Sequence, residues 1–127
     1  MGDIRVLIVD DSSVMRKIVE RALRQAGIHS LLVSEAGSGV EALELLKAKP
    51  VDLILTDINM PAMDGLEFVR KLGALGLAPD VPIVMITTES SEEHVKQAIQ
   101  AGAMGYIRKP FTPDQVKQRV LSLLSAD

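Results

Sequence analysis

The apolar runs of this chain end in residues that could do chemistry. Asp10 and Asp11 follow the run 6–9, Asp57 ends the run 52–57, Thr87 ends the run 82–87, and Lys109 ends the run 105–109. Carboxylates can hold a hard divalent cation or act as nucleophiles, and hydroxyl and ammonium groups can contact a phosphate. Brought together, these side chains would form a site for phosphoryl chemistry.

Each of these residues alone also has an ordinary structural explanation. Asp11 with Ser12 could cap the helix that follows, and Asp57 could begin an Asx turn. Thr87 is a common type of strand residue, and Lys109 could be a solvated loop charge. A functional site is therefore indicated only if the fold brings these side chains together.

Five apolar runs alternate with five amphipathic helical patterns along the chain. The runs predicted as strands are residues 4–9, 31–36, 52–57, 82–87 and 105–109. Continuous apolar runs are typical of parallel strands that helices cover on both faces. The alternation predicts an α/β fold with a doubly wound five-stranded parallel sheet of order 2-1-3-4-5, in a flavodoxin-like three-layer sandwich.

Capping residues and glycines predict where the helices begin and end. The predicted N-terminal caps of helices 2 to 5 are Ser38, Asp64, Ser90 and Thr112, and the predicted stops of helices 1 and 4 are Gly27 and Gly102. Two apolar stripes at helical spacing are expected to face the core. They are Val14, Ile18, Ala22, Leu23 and Ala26 on helix 1, and Val95, Ala98 and Ile99 on helix 4.

The composition limits the classes of protein to which the chain can belong. Its 127 residues predict a single domain over 1–127 without an output domain. No cysteine is present, the formal net charge is −3 and aromatic residues are few, which argues against disulfides, thiolate metal sites and nucleic-acid binding. No run reaches the roughly 20 apolar residues of a membrane helix and no signal sequence opens the chain, so a cytoplasmic location is expected.

The predicted topology brings the polar residues at the strand ends to one edge of the sheet. Three carboxylates in one crevice repel each other unless a cation lies among them. An all-oxygen ligand set with few protein ligands favours Mg²⁺, which usually completes its shell with phosphate oxygens. Lys109 would supply a second positive charge on the other side. The sequence therefore predicts a Mg²⁺-dependent site in which a carboxylate accepts a phosphoryl group.

A known family carries four motifs in the order and at the spacing found here: VDD at 9–11, LTDINMPAMDG at 55–65, MITT at 85–88 and GYIRKPF at 105–111. Over essentially its whole length the chain resembles the receiver domains of two-component response regulators, and in size the stand-alone CheY-type regulators. This resemblance implies a single-domain regulator in chemotaxis, motility or a related phosphorelay. It also implies a phosphoacceptor switch that catalyses only its own phosphorylation and dephosphorylation, and not an enzyme acting on other substrates.

The resemblance assigns the acids of the site. Asp57 is the implied phosphoacceptor, with a histidine kinase or a small acyl phosphate as the donor. Asp10, Asp11 and Asp57, with the backbone carbonyl of Asn59, are the implied ligands of Mg²⁺, for which Mn²⁺ can substitute. The phosphoacceptor and the implied metal ligands are thus expected to lie at the carboxyl ends of strands 1 and 3 of the predicted sheet.

The resemblance also assigns the switch and the partners. Thr87 and Lys109 are implied to contact phosphate oxygens, Tyr106 to turn inward as Thr87 moves, and the Lys109–Pro110 peptide bond to be cis. A downstream target would bind the face formed by helix 4, strand 5 and helix 5, and a phosphatase is a further partner. The regulator would be a monomer when unphosphorylated, without nucleic-acid or membrane partners. The basic residues of helix 1 would form a solvated face or a kinase docking surface: Arg16, Lys17, Arg21 and Arg24.

Other interpretations remain open at this point. A small Mg²⁺-dependent phosphohydrolase of the haloacid dehalogenase type would also use an Asp nucleophile, although its acids stand as D-x-D and not as adjacent residues. A flavodoxin-like FMN-binding protein would share the fold class, but this chain has few aromatic residues that could stack on a flavin. Residues 37–42 also fit the dinucleotide-binding pattern G-x-G-x-x-A. His29 and His94 are interpreted as surface or packing residues, since neither has a second ligand at metal spacing.

Overall fold

The structure, a computed structural model, describes residues 3–28, 30–88 and 91–124. Strands and helices alternate along it in the predicted order. The strands are β1 (Ile4–Val9), β2 (Leu31–Ala36), β3 (Leu53–Thr56), β4 (Ile83–Thr87) and β5 (Gly105–Arg108). The helices are α1 (Ser13–Gln25), α2 (Gly39–Ala48), α3 (Gly65–Leu75), α4 (Glu92–Ala101) and α5 (Pro113–Leu124).

All five strands pair in parallel in the order β2-β1-β3-β4-β5, which confirms the predicted topology. Successive strand side chains point to opposite faces of the sheet. In β1, Leu7 and Val9 pack with α2, α3 and α4 on one face. Val6 and Ile8 pack with α1 and α5 on the other face. The apolar runs are therefore continuous because both faces of the sheet are buried.

Two strands end one residue earlier than predicted. β3 ends at Thr56 and β5 ends at Arg108, so Asp57 and Lys109 are the first residues beyond their strands. A residue in this position keeps its side chain at the edge of the sheet and not in either core. The polar residues therefore lie where parallel strands commonly present a binding site.

Side-chain caps explain where most of the helices begin. The hydroxyl or carboxylate oxygens of Ser38, Asp64 and Thr112 accept from backbone N–H groups of α2, α3 and α5 at 2.8–3.2 Å, as predicted. Residues 37–42, which fit the dinucleotide pattern, form the cap and first turn of α2 beside the edge strand β2. They thus lie outside the crevice between β1 and β3.

Two helix starts offer adjacent candidate caps. For α1, where Asp11 with Ser12 was the expected cap, the Ser12 hydroxyl accepts from the N–H of Met15 at 3.1 Å. The cap of α4 is Ser91, which accepts from the N–H of His94 at 3.2 Å. Ser90, the predicted cap, and His29 lie outside the described residues. A run of serines offers two adjacent caps, and the sequence pattern does not distinguish them.

The predicted buried stripes are partly wrong. On α1, Ala22, Leu23 and Ala26 are buried as expected, but Val14 and Ile18 are 68% and 44% exposed. Their places are taken by Val19, which is buried, and Met15, which packs against the same core. On α4, Ala98 is buried and Ile99 is exposed. One step along a helix rotates a side chain by about 100°, so choosing the neighbouring apolar residue changes the face.

Candidate functional site

Three carboxylates meet at the carboxyl ends of β1 and β3. One oxygen from each of Asp10, Asp11 and Asp57 lies within 4.8 Å of the other two. The N–H of Asp57 donates to the carbonyl oxygen of Val9 at 2.9 Å, which holds Asp57 beside the end of β1. Asp10 and Asp57 are 4% and 9% exposed, whereas Asp11 is exposed. The acids therefore converge at one edge of the sheet, as the topology predicts.

The ammonium group of Lys109 lies between two of these carboxylates. Its Nζ donates to Oδ2 of Asp10 at 3.0 Å and to Oδ2 of Asp57 at 3.2 Å. The Lys109 side chain is only 12% exposed, so both ion pairs are largely screened from water. Lys109 thus bridges Asp10 and Asp57 directly. Its positive charge offsets part of their mutual repulsion.

Backbone amides hold the second oxygen of each buried carboxylate. Oδ1 of Asp10 accepts from the N–H of Ser12 at 3.0 Å, and Oδ1 of Asp57 accepts from the N–H of Ile58 at 2.7 Å. The hydroxyl of Thr56 donates to the carbonyl oxygen of Asp57 at 2.9 Å. These bonds fix both carboxylates with Oδ2 directed to Lys109.

Thr87, Tyr106 and Asn59 surround this cluster in different ways. Thr87 is fully buried at the end of β4, and its carbonyl oxygen accepts from the N–H of Lys109 at 2.9 Å. The Lys109–Pro110 peptide bond is cis, as predicted. Tyr106 pairs with Met85 across β4 and β5, its ring packs against the core on the α2–α4 side, and its hydroxyl oxygen is buried. Asn59 is exposed in the loop after β3.

The loop from Asp57 to Gly65 is tightly folded. Ala62 has a positive φ of 67°, and the N–H of Met63 donates to the carbonyl oxygen of Pro61 at 2.8 Å across it. A non-glycine residue in this region of φ is strained by roughly 1–3 kcal/mol, and such strain often occurs beside functional groups. The N–H of Gly65 closes the loop by donating to the carbonyl oxygen of Ile58 at 2.8 Å. The loop therefore presents Asp57 from a constrained backbone.

One polar link next to the acids was not predicted from the sequence. Nη1 of Arg16 donates to the backbone carbonyl oxygen of Asp10 at 2.6 Å, and its Nε donates to Oε1 of Glu35 at 2.8 Å. Nζ of Lys17 donates to Oε2 of the same Glu35 at 2.9 Å. These two basic residues thus contact β2 and the end of β1 and do not form a wholly solvated face. The sequence feature that could have indicated this link is Glu35, a charged residue in an otherwise mainly apolar strand.

The pKa of Glu35 lies below its ordinary value of 4.5, first because Lys17 and then because Arg16 donates hydrogen bonds to the carboxylate. A lowered pKa in the folded state means that the ion pair stabilises the fold above the unfolded pKa. That stabilisation is lost as the pH falls from about 4.5 through the lower folded value.

We therefore expect Glu35→Gln to reduce the free energy of unfolding at neutral pH. The difference from wild type should shrink as the pH falls below 4.5 and should vanish below the lowered pKa of the folded state, where the wild-type carboxylate is protonated as well. Urea unfolding at a series of pH values measures it. A difference that stays constant down to the acid end of the series would contradict the assigned ion pair.

The donor set of the cluster fits a hard divalent cation. The three acids offer carboxylate oxygens that lie close enough together for a single ion to contact more than one of them. Asp11 is exposed and makes no hydrogen bond or ion pair with the other described residues, so its oxygens are available to a ligand. Asp10, Asp11 and Asp57 could therefore hold such an ion.

Comparisons with a family model and with known proteins indicate the same family. The family model for the response regulator receiver domain matches residues 6–121. A chemotaxis protein CheY homolog of Campylobacter jejuni is 45% identical over 121 residues, which are 94% of this chain and 92% of that protein.

Solved structures agree with this match. Chemotaxis response regulator CheY4 of Vibrio cholerae is 35% identical with a TM-score of 0.86, and the match covers 97% of this chain and 100% of that one. The receiver domain of a sensor histidine kinase of Pseudomonas aeruginosa, solved with a magnesium ion coordinated in its active site cleft, is 25% identical with a TM-score of 0.84. That match covers 99% of this chain and 100% of the other.

The relatives match nearly the whole chain, including the strands that carry the acids. Among the described residues, no helix is both long and apolar enough to cross a membrane. The carboxylate cluster at the ends of β1 and β3, the sheet order and these relatives lead to one conclusion. The chain belongs to the response regulator receiver domains and is homologous to the CheY chemotaxis regulators.

Proposed function

We propose that this protein is a single-domain response regulator that accepts a phosphoryl group on Asp57. The observation that carries the proposal is the position of the Asp57 carboxylate, within 4.8 Å of two other acids and bonded to the Lys109 ammonium. An isolated cap or turn residue would need neither the other acids nor the lysine. The residues 1–127 would form one receiver domain, acting in chemotaxis, motility or a related phosphorelay in the cytoplasm.

The orientation of Asp57 supports Oδ2 as the attacking oxygen. Oδ1 accepts from the N–H of Ile58, whereas Oδ2 points to Lys109 and toward the cluster. Oδ2 would attack the phosphorus of a phosphohistidine or an acyl phosphate, forming a P–O bond while the P–N or P–O bond of the donor breaks. The leaving group departs as an imidazole or a carboxylate. The mixed anhydride that results can be hydrolysed, which returns Asp57 to its starting state.

Lys109 would change partners during this reaction. Its Nζ contacts Oδ2 of Asp57 before phosphorylation and is well placed to bind an oxygen of the phosphoryl group afterwards. Thr87 lies next to Lys109, because the backbone N–H of Lys109 donates a hydrogen bond to the Thr87 carbonyl oxygen. The Thr87 hydroxyl would be drawn to the same phosphoryl oxygens, and Tyr106 would adjust to the space left beside β4. This is the proposed switch.

We propose Mg²⁺ as the cofactor, with Mn²⁺ as a substitute. Asp10, Asp11, Asp57 and the backbone carbonyl of Asn59 would hold it. When bound, the ion would supply positive charge to the carboxylates and to the phosphoryl oxygens in transfer. The magnesium-containing receiver domain of Pseudomonas aeruginosa supports this proposal, since it has the same fold.

Receiver domains of the CheY type take phosphoryl groups from histidine kinases and act on downstream targets. For this chain we propose a histidine kinase as donor, a phosphatase as a further partner, and a target that binds the face formed by α4, β5 and α5. A groove of about 690 Å³ beside β5 and α5 supports that face, and its lining includes Tyr106, Arg108 and Arg119. Both arginines are exposed. We propose a monomer before phosphorylation and neither nucleic acid nor membrane as a partner.

Treatment with acetyl phosphate tests the central proposal. Wild-type protein in Mg²⁺ should gain one phosphoryl group by intact mass, and protein without divalent cation should gain far less. Asp57→Asn should gain none, because an amide is a poor nucleophile at this position. If the wild type gains no phosphoryl group, or the variant gains as much as the wild type, Asp57 is not the acceptor. The same samples without acetyl phosphate control for other modifications.

A further inference from the structure

We infer that Arg16 is a positioning residue for the acid pair, and that it acts by fixing the peptide unit between Asp10 and Asp11. The inference rests on the proposed cation site and adds a residue to it. Arg16 itself contributes no ligand, since a guanidinium carries only donors.

The contact that carries the inference is short and partly buried. Nη1 of Arg16 lies 2.6 Å from the carbonyl oxygen of Asp10, and the Arg16 side chain is 18% exposed. The N–H of Asp10 donates to the carbonyl oxygen of Ala36 at 3.1 Å. Both backbone polar groups of Asp10 are therefore held, one by the neighbouring strand and one by Arg16.

The carbonyl oxygen of Asp10 belongs to the same planar peptide unit as the N–H of Asp11. Holding that oxygen therefore limits rotation of the peptide plane that leads into Asp11. On the other side of Asp11, the N–H of Ser12 is held by Oδ1 of Asp10 at 3.0 Å. Because the Asp11 carboxylate makes no bond with the other described residues, its direction depends on these backbone contacts.

Arg16 is held in place by Glu35. Its Nε lies 2.8 Å from Oε1 of Glu35, while Lys17 occupies Oε2 of the same carboxylate at 2.9 Å. The planar guanidinium joins Glu35 on β2 to the end of β1 with donors in a fixed geometry. A lysine at position 16 would keep the charge but could not reproduce that fork. The arrangement is typical of residues that orient metal ligands without touching the metal.

Charge and positioning predict opposite effects on cation binding. Arg16 is a positive charge close to the acids, so through charge alone its removal would strengthen the binding of Mg²⁺. If Arg16 positions Asp11 and Asp10, its removal would weaken the binding of Mg²⁺. The sign of the change in Mg²⁺ affinity therefore separates the two roles. A loss of stability alone does not weaken Mg²⁺ binding as long as the variant is still folded.

The test is a titration of the full chain with Mg²⁺. Binding is measured by calorimetry and by the shifts of the backbone amide signals of residues 10–12 in NMR spectra. Arg16→Met should weaken Mg²⁺ binding about tenfold, in the lower range for residues that support metal ligands. Arg16→Lys should weaken it several-fold although the charge is kept. In the metal-free protein, Arg16→Met should also shift the amide signal of Asp11. Circular dichroism confirms that each variant is folded at the temperature of the titration.

Lys17→Met is the matched control. Lys17 bonds to the same Glu35 and is next to Arg16 in sequence, but its side chain is 66% exposed and forms its ion pairs with Glu35 and Glu20. Its Mg²⁺ affinity should stay within about twofold of the wild type, as expected for an exposed ion pair. If Arg16→Met does not fold, the Mg²⁺ affinity of Arg16→Lys decides: binding weaker than that of the wild type supports the positioning role.

The outcomes separate this inference from the proposed function. Equal or tighter Mg²⁺ binding by both Arg16 variants overturns the positioning role and leaves the cation site standing. An equal weakening by Lys17→Met also overturns it, because the effect would then come through Glu35, which both residues contact, and not through the bond of Arg16 to the Asp10 carbonyl. If the wild type binds no Mg²⁺, the cation site itself is wrong and the role of Arg16 with it.

Discussion

Gly65→Ala is expected to lower the free energy of unfolding by about 3 kcal/mol, the upper part of the range for overpacking in a closely packed region. A Cβ atom at position 65 would overlap the carbonyl oxygen of Asp57. It would also lie 2.9 Å from the carbonyl carbon of Asp57 and from Cα of Ile58. All of these are backbone atoms, so no flexible side chain can move away. The loop or the start of α3 has to shift.

The shift would reach the phosphoacceptor. The N–H of Gly65 donates to the carbonyl oxygen of Ile58, and the N–H of Ile58 donates to Oδ1 of Asp57. Moving α3 away from the loop would lengthen the first bond and turn the peptide that makes the second. We therefore expect phosphorylation of Gly65→Ala by acetyl phosphate to be slow even under conditions in which the variant is folded.

Gly73→Ala is the matched control, since it is the same substitution in the same helix. Position 73 has no atom within 4 Å of an added Cβ and is exposed. Alanine should raise the free energy of unfolding by about 0.5–1 kcal/mol, because glycine is a poor helix residue. Urea unfolding of both variants measures the two changes. Equal effects at positions 65 and 73 would show that helix propensity, and not contact with Asp57, determines both.

The topology was predictable because a strand that is buried on both faces of the sheet appears in the sequence as a continuous apolar run. Each strand reads as a largely apolar run, and the runs of β1, β3, β4 and β5 lead into the polar residues that lie at the edge of the sheet. The parallel arrangement then brings the ends of β1 and β3 together, which was enough to predict the meeting of Asp10, Asp11 and Asp57. Capping residues fixed most helix starts, because a hydroxyl or carboxylate before a helix satisfies a free N–H group.

Features that depend on side-chain direction were not predictable in the same way. Val14 and Met15 are both apolar neighbours on α1, and only packing determines that Met15 faces the core while Val14 lies outside. The pattern also does not show that Nζ of Lys109 bridges Asp10 and Asp57. Long side chains have many rotamers, and the tertiary environment selects one.

Features that join distant residues through the backbone were also missed. The bond of Arg16 to the Asp10 carbonyl needs the first turn of α1 to lie over the end of β1, and Glu35 must reach it from β2. The close approach of Gly65 to Asp57 depends on how the intervening loop folds back. No periodicity records such contacts. In both cases the residues concerned support acids that the sequence had already singled out.

Lys109→Met is expected to lower the free energy of unfolding by about 3 kcal/mol in the absence of divalent cations, as when one partner of a buried ion pair is removed. The lysine ammonium is the charge that lies between Asp10 and Asp57, and both carboxylates are nearly inaccessible to water. Methionine keeps most of the apolar stem, so the loss measures mainly the charge. Lys117→Met, at an exposed position of α5, should change stability by less than about 0.5 kcal/mol.

Adding Mg²⁺ should return much of the lost stability to Lys109→Met, because a bound cation stabilises the folded state and can offset the same carboxylates. The gain from Mg²⁺ should exceed that of the wild type, in which the ammonium and the cation compete for the Asp10 and Asp57 oxygens. Urea unfolding of both proteins with and without Mg²⁺ measures the difference. A loss that Mg²⁺ leaves unchanged would mean that it comes from the packing of the lysine stem. Repulsion among the three acids would then not be the force that makes this edge of the sheet a cation site.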